Sequence, residues 1–335
     1  MGVRVLKGGM LTTVQDLGRT GYQSQGFSVS GVMDVRSFKI ANLLLDNPEN
    51  EAVLEFTLMG PTLEFTSETI IAITGGDFQP QVNGKPIKNY TAVYIHRGDI
   101  LSFRGARTGS RGYIAFSSYL DIPVVMGSRS TNIKCSIGGY KGRRLMDGDY
   151  VGFRIKRRYL PYYLSRTLDL DEFDQDEVTL RVIMGPQDKS FTTAGRKTFL
   201  ESEYTVTSEF DRMGCRLEGP FIAYKTTSDI ISDGIAFGSV QVPSHGKPII
   251  LLSDRQTTGG YAKIATVISV DIPKLVQRKT DHKVRFQAVT VEEAQQLMQD
   301  ELHELQEFRK QIYQPCKEVL DCRLVAKRLT KLFQD

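Results

Sequence analysis

A mainly β fold with a helical C-terminal tail is what this sequence predicts, and three observations carry it. Short runs of Val, Ile, Thr, Tyr and Phe, cut by Gly, Asn and Asp, recur through the first 290 residues, the pattern of short strands joined by tight turns. Turn words such as Asn83-Gly84, Arg97-Gly98-Asp99 and Asp147-Gly148-Asp149 fall between the runs. From Thr290 onward the apolar residues recur at helical spacing instead.

The strands are read at Thr69 to Thr74, Ala92 to His96, Gly112 to Phe116, Thr179 to Met184 and Pro248 to Ser253, among others. Their spacing predicts a barrel or sandwich rather than alternating βα units. One helix interrupts the first half: Asp34 caps it, Val35, Phe38, Ala41, Leu44 and Leu45 mark one face, and Asn47-Pro48 ends it. A second short helix is expected near Pro186 or Gln187. Two internal echoes occur, Val3 to Gly8 with Leu180 to Gly185, and Gly98 to Phe103 with Gly148 to Phe153. Words this short recur by chance, so duplication and coincidence both stand. The acidic stretch Arg166 to Glu177 is the best linker.

In the tail, Thr290-Val291-Glu292-Glu293 forms a capping box. Ala294, Leu297, Met298, Leu302, Leu305, Phe308 and Ile312 then line one helix face, and Pro315 breaks the pattern. Val319, Leu320, Leu324, Val325, Leu329 and Leu332 make a second, basic amphipathic stretch. Amphipathicity predicts that the tail docks on its own β body or, failing that, on a partner.

The chain has 335 residues, enough for two domains or one duplicated unit. Hydrophobic residues at 40% and charged residues at 24% are the composition of a soluble globular protein. With 43 Lys+Arg against 39 Asp+Glu the net charge is +4, which calls for neither a nucleic acid nor a membrane. No apolar run approaches a membrane span of roughly 20 residues. Met1 to Leu11 lacks the apolar core of a signal peptide, so a cytoplasmic location is expected. Cys135, Cys215, Cys316 and Cys322 form no C-x-x-C, and His96, His245, His282 and His303 add no zinc spacing. Reduced thiols and no assigned metal ligand are the expectation.

Four segments place charged residues among glycines, a composition that offers backbone N–H groups and side chains to a ligand. In Leu11 to Tyr22, Asp16 and Arg19 bracket Gly18; a hairpin turn with a surface ion pair is the plainer reading. In Ser28 to Asp34, Ser30 and Gly31 precede a helix whose N-terminus suits an anion, although simple capping accounts for the same residues. Phe210 to Pro220 gathers Asp211, Arg212 and Arg216 around Gly214. Ile231 to Tyr261 holds Asp233, Gln241, Asp254, Arg255, Gln256, Thr258, Gly259, Gly260 and Tyr261 in two polar loops flanking one apolar strand. A solvated loop does not need that density of Gly, Asp, Arg and Gln, so a site is expected here. The chain has no Walker loop, no Rossmann fingerprint and no assignable Ser-His-Asp set.

Five co-ordered words, T-T-V-Q-D-L-G-R-T-G-Y, V-S-G-V-M-D, D-R-M-G-C-R-L-E-G, S-D-G-I-A-F-G-S-V-Q-V-P and D-R-Q-T-T-G-G-Y, resemble the allophanate hydrolase subunit 2 family, also called biotin-dependent carboxyltransferase-like. They span about residues 3 to 290. Its members include the C component of bacterial 5-oxoprolinase, the Kip antagonist of bacilli and part of the carboxyltransferase domain of urea carboxylase. The resemblance implies two intimately joined cyclophilin-like β-barrels, over 1–170 and 178–290, with 291–335 as the helical tail. It also implies a partner of the allophanate hydrolase subunit 1 type (the B component of 5-oxoprolinase) and a further partner, the A component. With them it implies hydrolysis of a cyclic amide, using ATP and Mg²⁺ at the level of the complex. The chain carries no A-M-K-M word, so no covalent biotin is expected on it.

A five-membered lactam resists water, and its ATP-dependent opening needs cations for carboxylate and phosphate and carboxylates for Mg²⁺ or a base. Arg19, Arg212 and Arg255 are the candidate anion clamps. Asp16, Asp211, Asp233 and Asp254 are the candidate metal or base groups. Gly18, Gly31, Gly214, Gly259 and Gly260 are the candidates for close backbone approach. Carboxyl transfer from biotin to urea or a related amide would use the same residue types. A non-enzymatic antagonist that sequesters a kinase inhibitor is the third reading.

Overall fold

The computed structural model describes residues 1–156, 159–170 and 173–315. The amphipathic stretch from Val319 to Leu332, with Cys316 and Cys322, lies outside the described residues.

The first half builds two antiparallel sheets. One orders Tyr150–Gly152, Gly2–Lys7, Thr62–Phe65, Ile100–Phe103, Pro80–Val82 and Lys85–Pro86; the other orders Leu11–Gln15, Val53–Thr57, Arg111–Phe116, Thr69–Gly75 and Ala92–Ile95. Val3, Val5, Leu54, Phe56, Leu63, Phe65, Ile71 and Ile73 belong to one buried core of this half. Helix α1 (Val35–Leu44) covers the second sheet from outside, setting Phe38, Ala41 and Leu44 with Ile70, Ala72, Tyr113 and Ala115. Covered on both faces, Thr69–Gly75 and Arg111–Phe116 are buried at every position, which is why both read as nearly unbroken apolar runs.

The second half is a closed barrel of seven strands: Glu177–Met184, Lys263–Val267, Ser239–Gln241, Ile249–Leu251, Gly214–Glu218, Tyr204–Phe210 and Lys283–Ala288. Closure is parallel, with Glu177↔Lys283 through Val182↔Ala288 in register, and it leaves this sheet no open edge. A short antiparallel pair, Asp229–Gly234 with Thr258–Tyr261, stands apart from the barrel.

Asp34 caps α1 as expected, accepting from the Ser37 N–H at 2.9 Å. Near Pro186 the chain forms only a 3₁₀ turn, Asp188–Ser190, and the helix α2 (Thr193–Glu201) starts later. Its cap is Thr192, which accepts from the Gly195 N–H at 2.9 Å; the sequence pattern alone puts the start too early. A short helix, α3 (Ile272–Val276), follows the last barrel hairpin. The capping box opens the 22-residue α4 (Val291–Ile312). Arg36 of α1 reaches Glu304 of α4 at 2.9 Å, and Ile312 is buried in the α1 core, so the helix docks on the first half. No described helix is long and apolar enough to cross a membrane.

The first echo falls on two strands that each run into a glycine packed against a carbonyl. A Cβ on Gly8 would lie 2.5 Å from Leu145 O, and one on Gly185 would lie 2.3 Å from Lys263 O. The second echo is a turn word used twice in one sheet: His96 N–H donates to Asp99 at 2.7 Å and Met146 N–H to Asp149 at 2.8 Å. The stretch Arg166 to Glu177 is less open than a linker. Thr167 bridges to Thr91, Leu168 and Phe173 are buried, and buried Arg166 donates to Leu44 O at 3.0 Å.

Candidate functional site

The turn between Tyr204–Phe210 and Gly214–Glu218 drives Arg212 into the seam between the halves. Its Nε donates to Asp254 Oδ2 at 2.9 Å, one Nη donates to Gly31 O at 2.5 Å, and the other pairs with Glu55 of the first half. Burial works against this charge, but Asp254 and Glu55 outweigh it and hold the guanidinium pKa above the ordinary arginine value. Glu55 also accepts from the Met33 N–H at 2.8 Å and from the Tyr113 hydroxyl at 2.9 Å. Tyr113 accepts in turn from the Asp34 N–H at 2.9 Å, and Asp34 accepts from Gln277 of the second half at 2.8 Å. Burial, with Glu55 and Asp34 beside it, pushes the Tyr113 phenol well above its usual pKa. Arg212 and Asp254 are thus committed to a polar seam, where they serve the fold rather than clamp a substrate anion.

Asp16 and Arg19 do not form the surface pair expected of a hairpin turn. Both are buried, and no ion pair joins them among the described residues. Asp16 accepts from Ser128 Oγ at 2.6 Å, Ser130 Oγ at 2.5 Å, the Arg129 N–H at 2.6 Å and the Gly18 N–H at 2.8 Å. Four donors saturate this carboxylate and pin the loop 128–142 onto the segment that follows the strand Leu11–Gln15. Arg19, 1% exposed, gives one Nη to Ser130 O at 2.6 Å, while its Nε and other Nη find no acceptor among the described residues. Burial lowers its pKa against the opposing pull of Asp16 and Asp254.

Ser28 to Asp34 docks the first half on the second. Ser28 Oγ donates to Arg255 O at 2.7 Å, the Ser30 N–H donates to Ser253 O at 3.0 Å, and Asn132 donates to Ser30 Oγ at 3.0 Å. Gly18 and Gly31 are glycines because their backbones nearly touch other chain. A Cβ on Gly18 would lie 2.6 Å from Val29 O, and one on Gly31 would lie 2.8 Å from Leu17 C. The N-terminus of α1 is closed by Asp34 itself, so capping fills the place an anion would take there.

Arg255 is likewise a strut. It donates to Ile235 O at 3.1 Å and Leu252 O at 3.2 Å and stacks over Phe237 at 5.5 Å, and burial lowers its pKa. Asp233 is exposed and pairs with buried Lys263 at 2.8 Å; that ammonium holds its pKa below the usual carboxylate value. Thr258 and Gly260 lie on the short strand Thr258–Tyr261, which pairs with the strand Asp229–Gly234 that carries Asp233.

The remaining candidates meet in a cleft of about 550 Å³ on the barrel of the second half, within the usual size of a small-molecule site. Phe210, Met213, Ile249 and Leu251 supply apolar wall, and Asp211, Gly214, Gln241, Gln256 and Tyr261 supply polar groups. Asp211 is exposed; one of its oxygens accepts from the Met213 N–H at 2.8 Å and the Gly214 N–H at 3.1 Å, while the other has no donor among the described residues. Gly259 sits beneath: a Cβ there would lie 2.8 Å from Gln241 Nε2. Arg111 of the first half props the wall, its guanidinium 4.7 Å over the Phe210 ring. Among the described residues no three of His, Cys, Asp and Glu gather to hold a metal, and the four candidate aspartates do not converge.

Glu55, Tyr113, Gln277, Lys263 and the loop 128–142 escape a reading of the sequence. The first four sit singly in strands or a helix end, with no local signature. The loop does carry one: from Ile122 to Met146 the chain has Arg129, Lys134, Lys141, Arg143 and Arg144 and not one Asp or Glu.

The profile of the family described as "Carboxyltransferase domain, subdomain A and B" matches residues 25–288. The C component of 5-oxoprolinase from Escherichia coli (strain K12) is 34% identical over 303 residues, which cover 89% of this chain and 95% of that protein. Urea amidolyase of Lachancea kluyveri is 31% identical over 315 residues, covering 88% of this chain and 17% of that one. The crystal structure of the K. lactis urea amidolyase superposes with a TM-score of 0.85 at 28% identity, over 92% of this chain and 20% of that chain. This chain therefore spans about a fifth of the urea amidolyases it matches. With four of the five ordered motifs and the barrel inside the matched stretch 25–288, the chain belongs to the carboxyltransferase domain, subdomain A and B, family.

Proposed function

We propose that this chain is one component of an ATP-dependent 5-oxoprolinase. It would open 5-oxoproline to glutamate together with an allophanate hydrolase subunit 1-type partner and the A component of that enzyme. The observation that carries the reading is the match to a 5-oxoprolinase C component across 95% of that protein, where the urea amidolyase of Lachancea kluyveri matches across only 17%. The cleft supports it chemically. A lactam presents one N–H and one C=O, and the side-chain amides of Gln241 and Gln256 can pair with both. The free oxygen of Asp211 is the group in the cleft best placed to hold or move a proton. The described residues do not fit a Mg²⁺–ATP site, because their carboxylates are scattered and two are consumed in the seam and the loop. No phosphoryl step is therefore assigned to this chain, and we place that chemistry on its partners. The cytoplasm is the compartment proposed for it.

The test is reconstitution. Mixing the chain with competent partners, ATP and 5-oxoproline should release glutamate and ADP, and omitting the chain should abolish turnover. No turnover with partners proven competent would sink the reading. The TM-score of 0.85 with a urea amidolyase favours a second reading, a carboxyltransferase half acting on urea or a related amide. It would instead show carboxyl transfer from a carboxybiotin carrier, with no need for 5-oxoproline.

A further inference from the structure

Lys263 opens a barrel strand whose other residues, Ile264, Ala265, Thr266 and Val267, are ordinary strand formers. It is 3% exposed. A buried ammonium is costly unless it is paired and hydrogen-bonded, so its partners decide its role. Its Nζ donates to Asp233 Oδ2 at 2.8 Å and to Gly234 O at 3.2 Å. Gln187 braces the same junction: its Oε1 accepts from the Lys263 N–H at 3.2 Å, and its Nε2 donates to Asp233 Oδ2 at 3.5 Å.

Asp233 and Gly234 belong to the two-stranded ribbon of Asp229–Gly234 and Thr258–Tyr261, which stands apart from the barrel. Its outer strand is exposed at every position but Ile230. A lone two-stranded ribbon has little stability of its own, so its place depends on what ties it to the barrel.

The inner strand of the ribbon carries part of the cleft. Tyr261 lines the cleft, and Gln256 enters it from just before that strand. Four contacts then close a circuit. Lys263 holds Asp233, and Asp233 pairs in register with Gly259. A Cβ on Gly259 would lie 2.8 Å from Gln241 Nε2 and 3.3 Å from Gln256 Nε2, so the ribbon rests on both cleft amides. Gln241 in turn pairs in register with Lys263. Gln241 Nε2 also donates to Tyr261 O at 3.4 Å.

We infer that Lys263 is a positioning residue for this cleft: through Asp233 it fixes the ribbon, and through the ribbon it fixes Gly259, Tyr261 and the amides of Gln241 and Gln256. The inference rests on the reading of the cleft as the site that takes 5-oxoproline. The dependence of the ribbon on Lys263 is a property of the chain alone and can be measured without turnover.

The experiment follows hydrogen–deuterium exchange of the full chain. Lys263→Met should speed exchange about tenfold or more at 229–234 and 256–261 and leave Gly214–Glu218 and Ile249–Leu251 near native. Lys263→Arg should recover part of the protection. Asp233→Asn, which changes only the exposed partner, should loosen the same places to a smaller extent. Lys283→Met, whose lysine donates to Thr205 Oγ1 at 2.8 Å on another pair of strands, should leave the ribbon unchanged. In the reconstituted complex, Lys263→Met should raise KM for 5-oxoproline about tenfold while kcat falls less, the mark of lost placement rather than a lost chemical group. Lys263→Arg should restore part of that KM. Native ribbon exchange in both Lys263→Met and Asp233→Asn, faster exchange in every strand alike, or an unchanged KM with a loosened ribbon would overturn the inference. A native complex without turnover would instead remove the 5-oxoprolinase reading, and the exchange at 256–261 would still decide whether Lys263 holds the cleft wall.

Discussion

Arg212 and Glu55 lie 157 positions apart in sequence and form a buried ion pair across the two halves of the molecule, with Asp254 completing the set. The pair ties a turn of the barrel to a central strand of the first half, directly beside the cleft. Arg212→Ala would leave two carboxylates buried without their cation, which typically costs about 3–5 kcal/mol. The expected result is a large fall in the denaturant midpoint; Arg212→Lys, which keeps charge but loses the fork, should fall less. An unfolding midpoint within error of the native one for Arg212→Ala would show the seam to be dispensable.

Asp211 separates two duties that one aspartate can hide. Asp211→Asn keeps the oxygen that accepts the Met213 and Gly214 N–H groups but removes the charge. If the free oxygen moves a proton, kcat in the reconstituted complex should drop about 10²- to 10⁴-fold while the unfolding midpoint stays near native. Asp211→Ala should lose both activity and some stability. Full activity in Asp211→Asn would remove this residue from the chemistry.

Two glycines with positive φ test how rigid the basic loop is. A Cβ on Gly139 would lie 1.8 Å from Thr131 Oγ1, whereas one on Gly84 would meet nothing within 4 Å. Both alanine variants bear the left-handed backbone cost of about 1–2 kcal/mol. Gly139→Ala should cost distinctly more, because Thr131 is itself held to Val14 O at 2.9 Å and cannot retreat. Equal losses in calorimetric unfolding would contradict a tightly packed loop.

Asp271 gives a pH dependence with a definite sign. Burial alone would raise its pKa, but Arg181 at 2.6 Å and Lys274 at 2.8 Å hold it below the ordinary carboxylate value of 3.8. A group depressed in the folded state contributes stability that is complete above its unfolded pKa and is lost as pH falls through the folded one. The stability gap between native protein and Asp271→Asn should therefore be constant above about pH 4 and shrink on acidification below it. A gap that narrowed toward neutral pH instead would reverse the assignment.

Local physics is what the sequence states most clearly. The Thr290 capping box, the Asp34 cap and the buried runs Thr69–Gly75 and Arg111–Phe116 are legible because neighbours within a few positions decide them. The second helix reads too early because Pro186 and Gln187 look like a helix start, while the oxygen that actually caps it belongs to Thr192. Of the candidate site, the sequence picks out segments that come together, since Asp16, Ser30, Arg212 and Asp254 all lie at or near one seam. It does not divide labour among them. Whether an arginine clamps a ligand or holds a fold depends on which carboxylates approach it, and Glu55 reaches Arg212 only through the packing of the halves.

By itself, then, the sequence determined the mainly β character, the capped helices and the family, because these rest on short-range pattern and ordered motifs. Only the tertiary structure decided that Arg212 and Asp254 are seam, that Asp211, Gln241, Gln256 and Tyr261 share a cleft, and that Lys263 holds Asp233 beside it. The physical reason is that each of those roles is set by burial and by partners far along the chain or in the other half, which no local pattern encodes.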